Sequence, residues 1–171
     1  GVDISKKPVW IEGPHIFRKD GYYYLTAAEG GTSVNHSQVV LRAKSLRGPY
    51  VPYEGNPILT QRDLDPARPD PIGSAGHATL VQTQKGDWWA TFLAVRPYAD
   101  DFYNIGRETF LLPVTWKDGW PVILPKGQAI PRTLRAPDLP RQPAPALPTS
   151  GDITYTETFG GPALPMQWIG I

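Results

Sequence analysis

Apolar and polar positions along the chain fall into short runs separated by charged turns that carry glycine, and one layout occurs three times. In the first, His15-Ile16-Phe17-Arg18 leads through Lys19-Asp20-Gly21 into Tyr22-Tyr23-Tyr24-Leu25-Thr26-Ala27. In the second, Ala78-Thr79-Leu80-Val81-Gln82-Thr83 leads through Lys85-Gly86-Asp87 into Trp88-Trp89-Ala90-Thr91-Phe92-Leu93. The third runs from Phe110 to Trp116, turns at Lys117-Asp118-Gly119, and continues as Trp120-Pro121-Val122-Ile123-Leu124. Asp-Gly between β-rich runs is a strong hairpin signal, because both central positions of a tight hairpin turn need positive φ. Gln38-Val39-Val40-Leu41-Arg42-Ala43 predicts a further strand, ending at the turn Ser45–Tyr50.

Two long connections separate these elements. Residues 54–76 are rich in proline and charge, and residues 96–106 follow the Trp88–Val95 run. Loops of that length inside a compact domain usually carry function. From Pro131 to Pro148 the chain turns Pro/Ala/Arg-rich, which predicts an extended linker. Asp152–Phe159 then reads as a new strand. The expected domains are residues 1–130, built of strands; a Pro-rich linker at 131–150; and the start of a further strand-bearing domain at 151–171. Hairpins about 30 to 60 residues apart suit propeller blades, with a sandwich as the structural alternative. A blade takes roughly 40–50 residues, so residues 1–130 supply about three at most. An unclosed propeller leaves apolar strand edges bare, and the 171 residues by themselves are not expected to form a stable monomer.

Composition agrees with an all-β chain: 20 Pro and 17 Gly break helices, while six Trp, eight Tyr and five Phe favour strands. An apolar content of 40% excludes a wholly disordered chain. The 17 basic and 16 acidic residues nearly cancel and form no block, which argues against a nucleic-acid or membrane-surface partner. No apolar run approaches the ~18 residues of a membrane span. Cysteine is absent, excluding disulfides and thiolate metal sites. The sequence starts at Gly1-Val2-Asp3 without an initiator Met or a leader pattern, leaving the compartment open.

Few residues suggest chemistry. Asp20, Asp87 and Asp118 fit hairpin turns, and Asp63, Asp65, Asp70, Asp100 and Asp101 fit solvated loops. Glu12 differs: it lies between Val9-Trp10-Ile11 and Gly13-Pro14, where desolvation would raise its pKa and suit it to general-acid work. His77, in Gly73-Ser74-Ala75-Gly76-His77-Ala78, sits where a long loop enters a strand; the alternative is a loop histidine satisfied by backbone. Arg107, in Gly106-Arg107-Glu108-Thr109, could hold a carboxylate or sugar hydroxyls, or simply pair with Glu108. His15 and His36 suit ordinary polar packing. No phosphate loop, nucleophile elbow or metal-ligand spacing is present.

Together, Glu12-Gly13-Pro14-His15-Ile16, Lys19–Leu25, Ala28-Glu29-Gly30-Gly31-Thr32, Ser45–Tyr50 with Asn56-Pro57-Ile58-Leu59, Ala75–Ala78, Gly106–Thr109 and Trp116–Pro121 resemble glycoside hydrolase family 43, near its bacterial β-xylosidases. The resemblance covers roughly residues 8–125, and its specificity lies in the order of the motifs. It implies an all-β fold: an incomplete part of a five-bladed β-propeller, with the sugar pocket at its axis, followed by a linker and the first strand of a β-sandwich. It implies hydrolysis with inversion, with Glu12 as general acid, Arg107 on the hydroxyls of the terminal sugar, His77 at the pocket floor and Thr32 on the wall. Some relatives hold calcium through the histidine at His77 and waters; no other cofactor is implied. The general base and a further aspartate that tunes the acid would lie upstream of Gly1, so the remainder of the same polypeptide is a required partner. The implied activity is exo-β-1,4-xylosidase on xylo-oligosaccharides. Its rivals are an α-L-arabinofuranosidase of the same family, acting on arabinoxylan fragments, and a carbohydrate-binding module without turnover, since abundant Trp and Tyr suit sugar stacking either way.

Overall fold

The structure, a computed structural model, describes residues 10–140, 154 and 156–162. The chain divides into two units, Gly1–Leu139 and Pro140–Ile171. Among the described residues, all nine strands belong to the first unit and there is no helix.

The first hairpin pairs β1 (Ile11–Lys19) with β2 (Tyr22–Glu29). Its turn residues Asp20 and Gly21 have φ of 47° and 75°, the two left-handed positions that an Asp-Gly hairpin turn supplies. β3 (Ser37–Ala43) pairs antiparallel with β2, and the short β4 (Val51–Pro52) and β5 (Leu59–Thr60) both pair with β3. A second antiparallel sheet runs β6 (Gly73–Gln82), β7 (Trp88–Val95), β8 (Glu108–Lys117), β9 (Trp120–Val122). The β8–β9 turn repeats the first, with Asp118 and Gly119 at φ 51° and 74°. The third hairpin therefore completes the sheet of the second instead of founding its own. The described residues form two meandering sheets of the kind that make blades.

One expectation needs correction. Residues 54–76 are not one loop: Leu59–Thr60 is β5, and Gly73–Gly76 already belongs to β6. Residues 131–139 belong to the first unit, where Arg132 pairs with Asp70 at 2.8 Å and Asp138 with Lys85. The strand expected over Asp152–Phe159 lies partly outside the described residues; Thr154 and Thr156–Phe159 are described and carry no strand.

An aromatic seam joins the two sheets. Phe17 of β1 stacks on Tyr24 of β2 at 5.2 Å, and both rings meet the second sheet: Phe17 on Trp88 at 5.3 Å, Tyr24 edge-on to Trp116 at 5.3 Å. The Tyr24 hydroxyl donates to the Gly119 carbonyl at 2.6 Å, which Arg42 also reaches at 3.1 Å. The Arg42 guanidinium lies over the Trp120 ring at 4.1 Å. The β8–β9 turn is thus held by charge, hydroxyl and rings at once.

Where strand pairing stops, side-chain amides continue it. The buried Gln38 accepts from Ala78 N–H at 2.7 Å and donates to Ala78 C=O at 3.4 Å, linking β3 to β6. Asn56 closes the same two-point bond on Val40, at 2.9 Å each way. Gln61 accepts from Ile130 N–H at 3.1 Å and donates to Gln128 C=O at 2.8 Å, tying the segment after β9 onto the sheets.

Gln38→Leu keeps the volume and strands both groups of Ala78. Each buried backbone group left unmade costs about 1–3 kcal/mol. Urea unfolding of the full-length protein should show a loss of about that size or more, whereas an unchanged midpoint would refute the bridging role.

Candidate active site

The two sheets present β1 and β6 as edge strands, and both are bulged. An extra residue in an edge strand bends it and re-aims the side chain there, which is why bulges collect beside active sites. In β1 the pairing register slips between Glu12 and His15, where Gly13 takes φ 55°. In β6 it slips twice, between Gly73 and Gly76 and between Gly76 and Thr79. The bulged residues are Ser74 and His77, at φ 51° and 54°. Side chains other than Gly, Asn and Asp rarely adopt such backbone, and each costs of order 1–3 kcal/mol.

These bulges bring Glu12 and His77 together. A Glu12 carboxylate oxygen lies 3.8 Å from His77 Nδ1. The other end of the imidazole rests on Gly13: a Cβ there would stand 2.3 Å from His77 Nε2. Gly13 is therefore required twice, for its φ and for the ring above it.

His36, read from sequence as ordinary polar packing, is the residue that reading missed. It is fully buried, its Nδ1 is 2.9 Å from the Ser74 carbonyl, and its Nε2 is buried without a hydrogen-bond partner. Its ring fills the space a side chain at Gly76 would need, with a Cβ there 2.8 Å from Nε2. One ligand atom each from Glu12, His36 and His77 lies within 4.8 Å of the others. A carbonyl only accepts, so Nδ1 carries the proton and Nε2 offers a lone pair. Desolvation, more than any other influence, lowers the pKa of His36; His77 and Arg107 push the same way, against the Ser74 carbonyl and Glu12.

Arg107 lies just before β8, exposed, with its charge in reach of His36. It is not taken up by Glu108, whose carboxylate is gripped at both oxygens by Arg96 and thereby held below the usual carboxylate range. Thr32 is exposed in the β2–β3 connection that ends at His36.

The desolvating pocket expected around Glu12 is not built by these residues. Its side chain is 51% exposed, because Trp10 and Ile11 beside it turn outward, at 75% and 64%. A concavity of about 820 Å³ lies elsewhere, between residues 61–74 and 95–101, with Arg62, Arg68, Tyr98 and Asp100 on its wall. As donors, Glu12, His36 and His77 offer one carboxylate and two imidazoles. A calcium ion, which takes about six to eight oxygens, would draw most of its shell from water.

A bulged edge strand that carries a lone carboxylate against an imidazole on its neighbour suits proton donation to a bound oxygen. Residues 2–121 match the profile of Glycosyl hydrolases family 43. The chain belongs to that family. It is 45% identical over 131 residues to the non-reducing end α-L-arabinofuranosidase BoGH43B of Bacteroides ovatus, covering 75% of this chain and 24% of that protein. A xylosidase/arabinosidase of Butyrivibrio fibrisolvens is 46% identical over 120 residues, 70% of this chain and 23% of the relative. Among solved structures, xylan β-1,4-xylosidase from Bacillus halodurans superposes with a TM-score of 0.71 at 39% identity, over 86% of this chain and 27% of that one. The chain spans about a quarter of the length of the curated relatives it matches. The relatives of this family 43 chain carry the names arabinofuranosidase and xylosidase/arabinosidase.

The buried His36 gives the family 43 fold a signed pH dependence. Its folded pKa lies below the unfolded value of about 6.5, so the unfolded chain takes up a proton first as pH falls. Stability from this group is full above about pH 6.5 and is lost as pH falls toward the folded pKa. Melting curves of the full-length protein between pH 7.5 and 5 should fall more steeply than those of His36→Asn; parallel curves would contradict the burial of a neutral ring.

Proposed function

We propose that this chain carries the acid half of the active site of an inverting exo-β-1,4-xylosidase that releases xylose from xylo-oligosaccharides. The observation supporting it is the Glu12 carboxyl 3.8 Å from the His77 imidazole, on two bulged edge strands of a family 43 chain. Glu12 protonates the glycosidic oxygen as the bond to the anomeric carbon breaks. A second carboxylate, about 6.5–9.5 Å away across the sugar, takes a proton from the attacking water. That base belongs to polypeptide upstream of Gly1, and the two sheets are neighbouring blades of the five-bladed propeller it completes. In this reading the closed propeller also encloses Glu12 against the bound sugar.

Arg107 holds hydroxyls of the terminal sugar, His77 forms the floor and Thr32 the wall. Calcium, ligated by His77 and waters, would add positive charge beneath the sugar. A β-sandwich after the propeller would restrict the pocket to chain ends, giving exo action.

α-L-Arabinofuranosidase is the second reading, favoured by the names of the Bacteroides ovatus and Butyrivibrio fibrisolvens relatives. The full-length enzyme assayed on p-nitrophenyl β-xyloside and α-L-arabinofuranoside decides between them. We expect faster xyloside turnover, and arabinofuranoside turnover exceeding it by about tenfold, a transition-state difference of about 1.4 kcal/mol, would reverse the assignment. Glu12→Gln should lower kcat on xylobiose by about 10²–10⁴ while sugar binding persists. An unchanged rate would remove Glu12 from the mechanism, and absence of turnover in the wild type would favour a carbohydrate-binding module.

A further inference from the structure

His77 reaches Glu12 from a strand whose path is held at two points by a neighbouring one. On one side, Gln38 of β3 clasps both backbone groups of Ala78. On the other, His36, just before β3, donates from Nδ1 to the Ser74 carbonyl at 2.9 Å. Between these anchors lie Gly76 and His77, and both departures of β6 from regular pairing. His36 is itself fixed: its N–H donates to Ser33 C=O at 3.0 Å, and its C=O accepts from the Thr60 hydroxyl at 3.0 Å. The ring is fully buried and faces Gly76 at a distance that only glycine permits. Its position therefore transmits directly to the bulge.

We propose that His36 is a positioning residue for the acid: its Nδ1–H holds the Ser74 bulge of β6 so that the His77 ring seats on Gly13 and fixes the carboxyl of Glu12. This rests on Glu12 being the general acid. The transmission runs from the Ser74 carbonyl to the left-handed His77, and from the His77 ring to Gly13, the residue next to Glu12. Misplacing a reacting group by about 1 Å can lower a rate about 10²-fold, so a small relaxation of the bulge is enough to matter. The Ser74 carbonyl can only accept, so Nδ1 is the ring nitrogen that carries the hydrogen it takes.

The test uses leaving-group dependence in the full-length enzyme. A disaccharide needs its leaving oxygen protonated, whereas the 2,4-dinitrophenyl glycoside of the same sugar departs without help. Loss of acid positioning therefore slows the first and spares the second. A merely structural defect slows both alike.

An Asn amide can stand where Nδ1–H stands, while a Gln amide reaches the Nε2 position instead. His36→Gln should lower kcat on the disaccharide by about 30-fold or more and on the dinitrophenyl glycoside by less than about threefold. His36→Asn should keep both within about fivefold. Gly76→Ala, whose Cβ would meet the ring at 2.8 Å, should reproduce the split from the opposite side. Should His36→Gln fail to fold, His36→Asn and Gly76→Ala carry the comparison. Equal losses on both substrates, no loss, or His36→Asn as poor as His36→Gln would overturn the proposal. Glu12→Gln is the reference: if it shows the split and the His36 and Gly76 variants do not, the positioning role alone is wrong. If Glu12→Gln shows no split, the acid assignment fails and the proposal falls with it.

Discussion

The meeting of β3 with β6 without a shared strand ladder is the constraint on which the candidate site depends. Two sheets twist apart as they leave their common core, so their backbones cannot stay in register for long. Polar side chains bridge the gap instead, with Gln38 clasping Ala78 and His36 bonding Ser74. Because these bonds are buried, each must be made or its groups stand unsolvated. The path of β6 between Ser74 and Ala78 is therefore set by β3 as much as by its own pairing with β7. That is the stretch containing His77.

How much of this was legible in the sequence follows from how local each cause is. The hairpins at Asp20-Gly21 and Asp118-Gly119 were legible because both left-handed positions are met by adjacent residues whose types accept them. The role of the third hairpin was not, since only the cross-strand register shows that β8 lies against β7, with Phe92 opposite Phe110. β5 escaped because two residues, Leu59 and Thr60, carry no periodicity, and their pairing with Ser37 and Gln38 is fixed by tertiary contact. Glu12, His77 and Arg107 stood out as candidates through motif resemblance, each with a glycine beside it. His36 was missed because what distinguishes it, a carbonyl 38 residues away and a glycine that yields space to its ring, lies in no local pattern. The apolar neighbours of Glu12 misled for a related reason: Trp10 and Ile11 on an edge strand face outward, so hydrophobic flanks did not mean burial.

Several unfavourable features of the first unit gather at one place, although buried unpaired atoms also occur at Thr26 Oγ1 and Trp116 Nε1. Ser74 and His77 both hold left-handed backbone, and His36 Nε2 is buried without a partner, all within one short stretch of structure. Each costs of order 1–3 kcal/mol, a large share of the stability of a typical domain. Strain of that kind persists only where the surroundings over-determine it. Here the surroundings are the aromatic seam of Phe17, Tyr24, Trp88 and Trp116 and the grip of Tyr24 and Arg42 on the Gly119 turn. The seam and the strained bulge lie in the same pair of sheets and have opposite characters, one apolar and regular, the other polar and bent.

That division bears on how a proton donor can be tuned. A carboxyl held by regular strand geometry would point into the sheet's own packing or into solvent. Bulging β1 at Gly13 turns Glu12 toward a neighbouring strand instead, and bulging β6 turns His77 to meet it. The imidazole then stands beside the carboxyl, at 3.8 Å, without a hydrogen bond to it. If Glu12 is the general acid proposed above, it must give its proton to substrate and not to its neighbour. A contact that orients without binding satisfies that requirement, and it can be maintained only if the strand carrying the imidazole is anchored independently of Glu12. The bonds from His36 and Gln38 to β6 provide that anchor, because neither involves the carboxyl they serve.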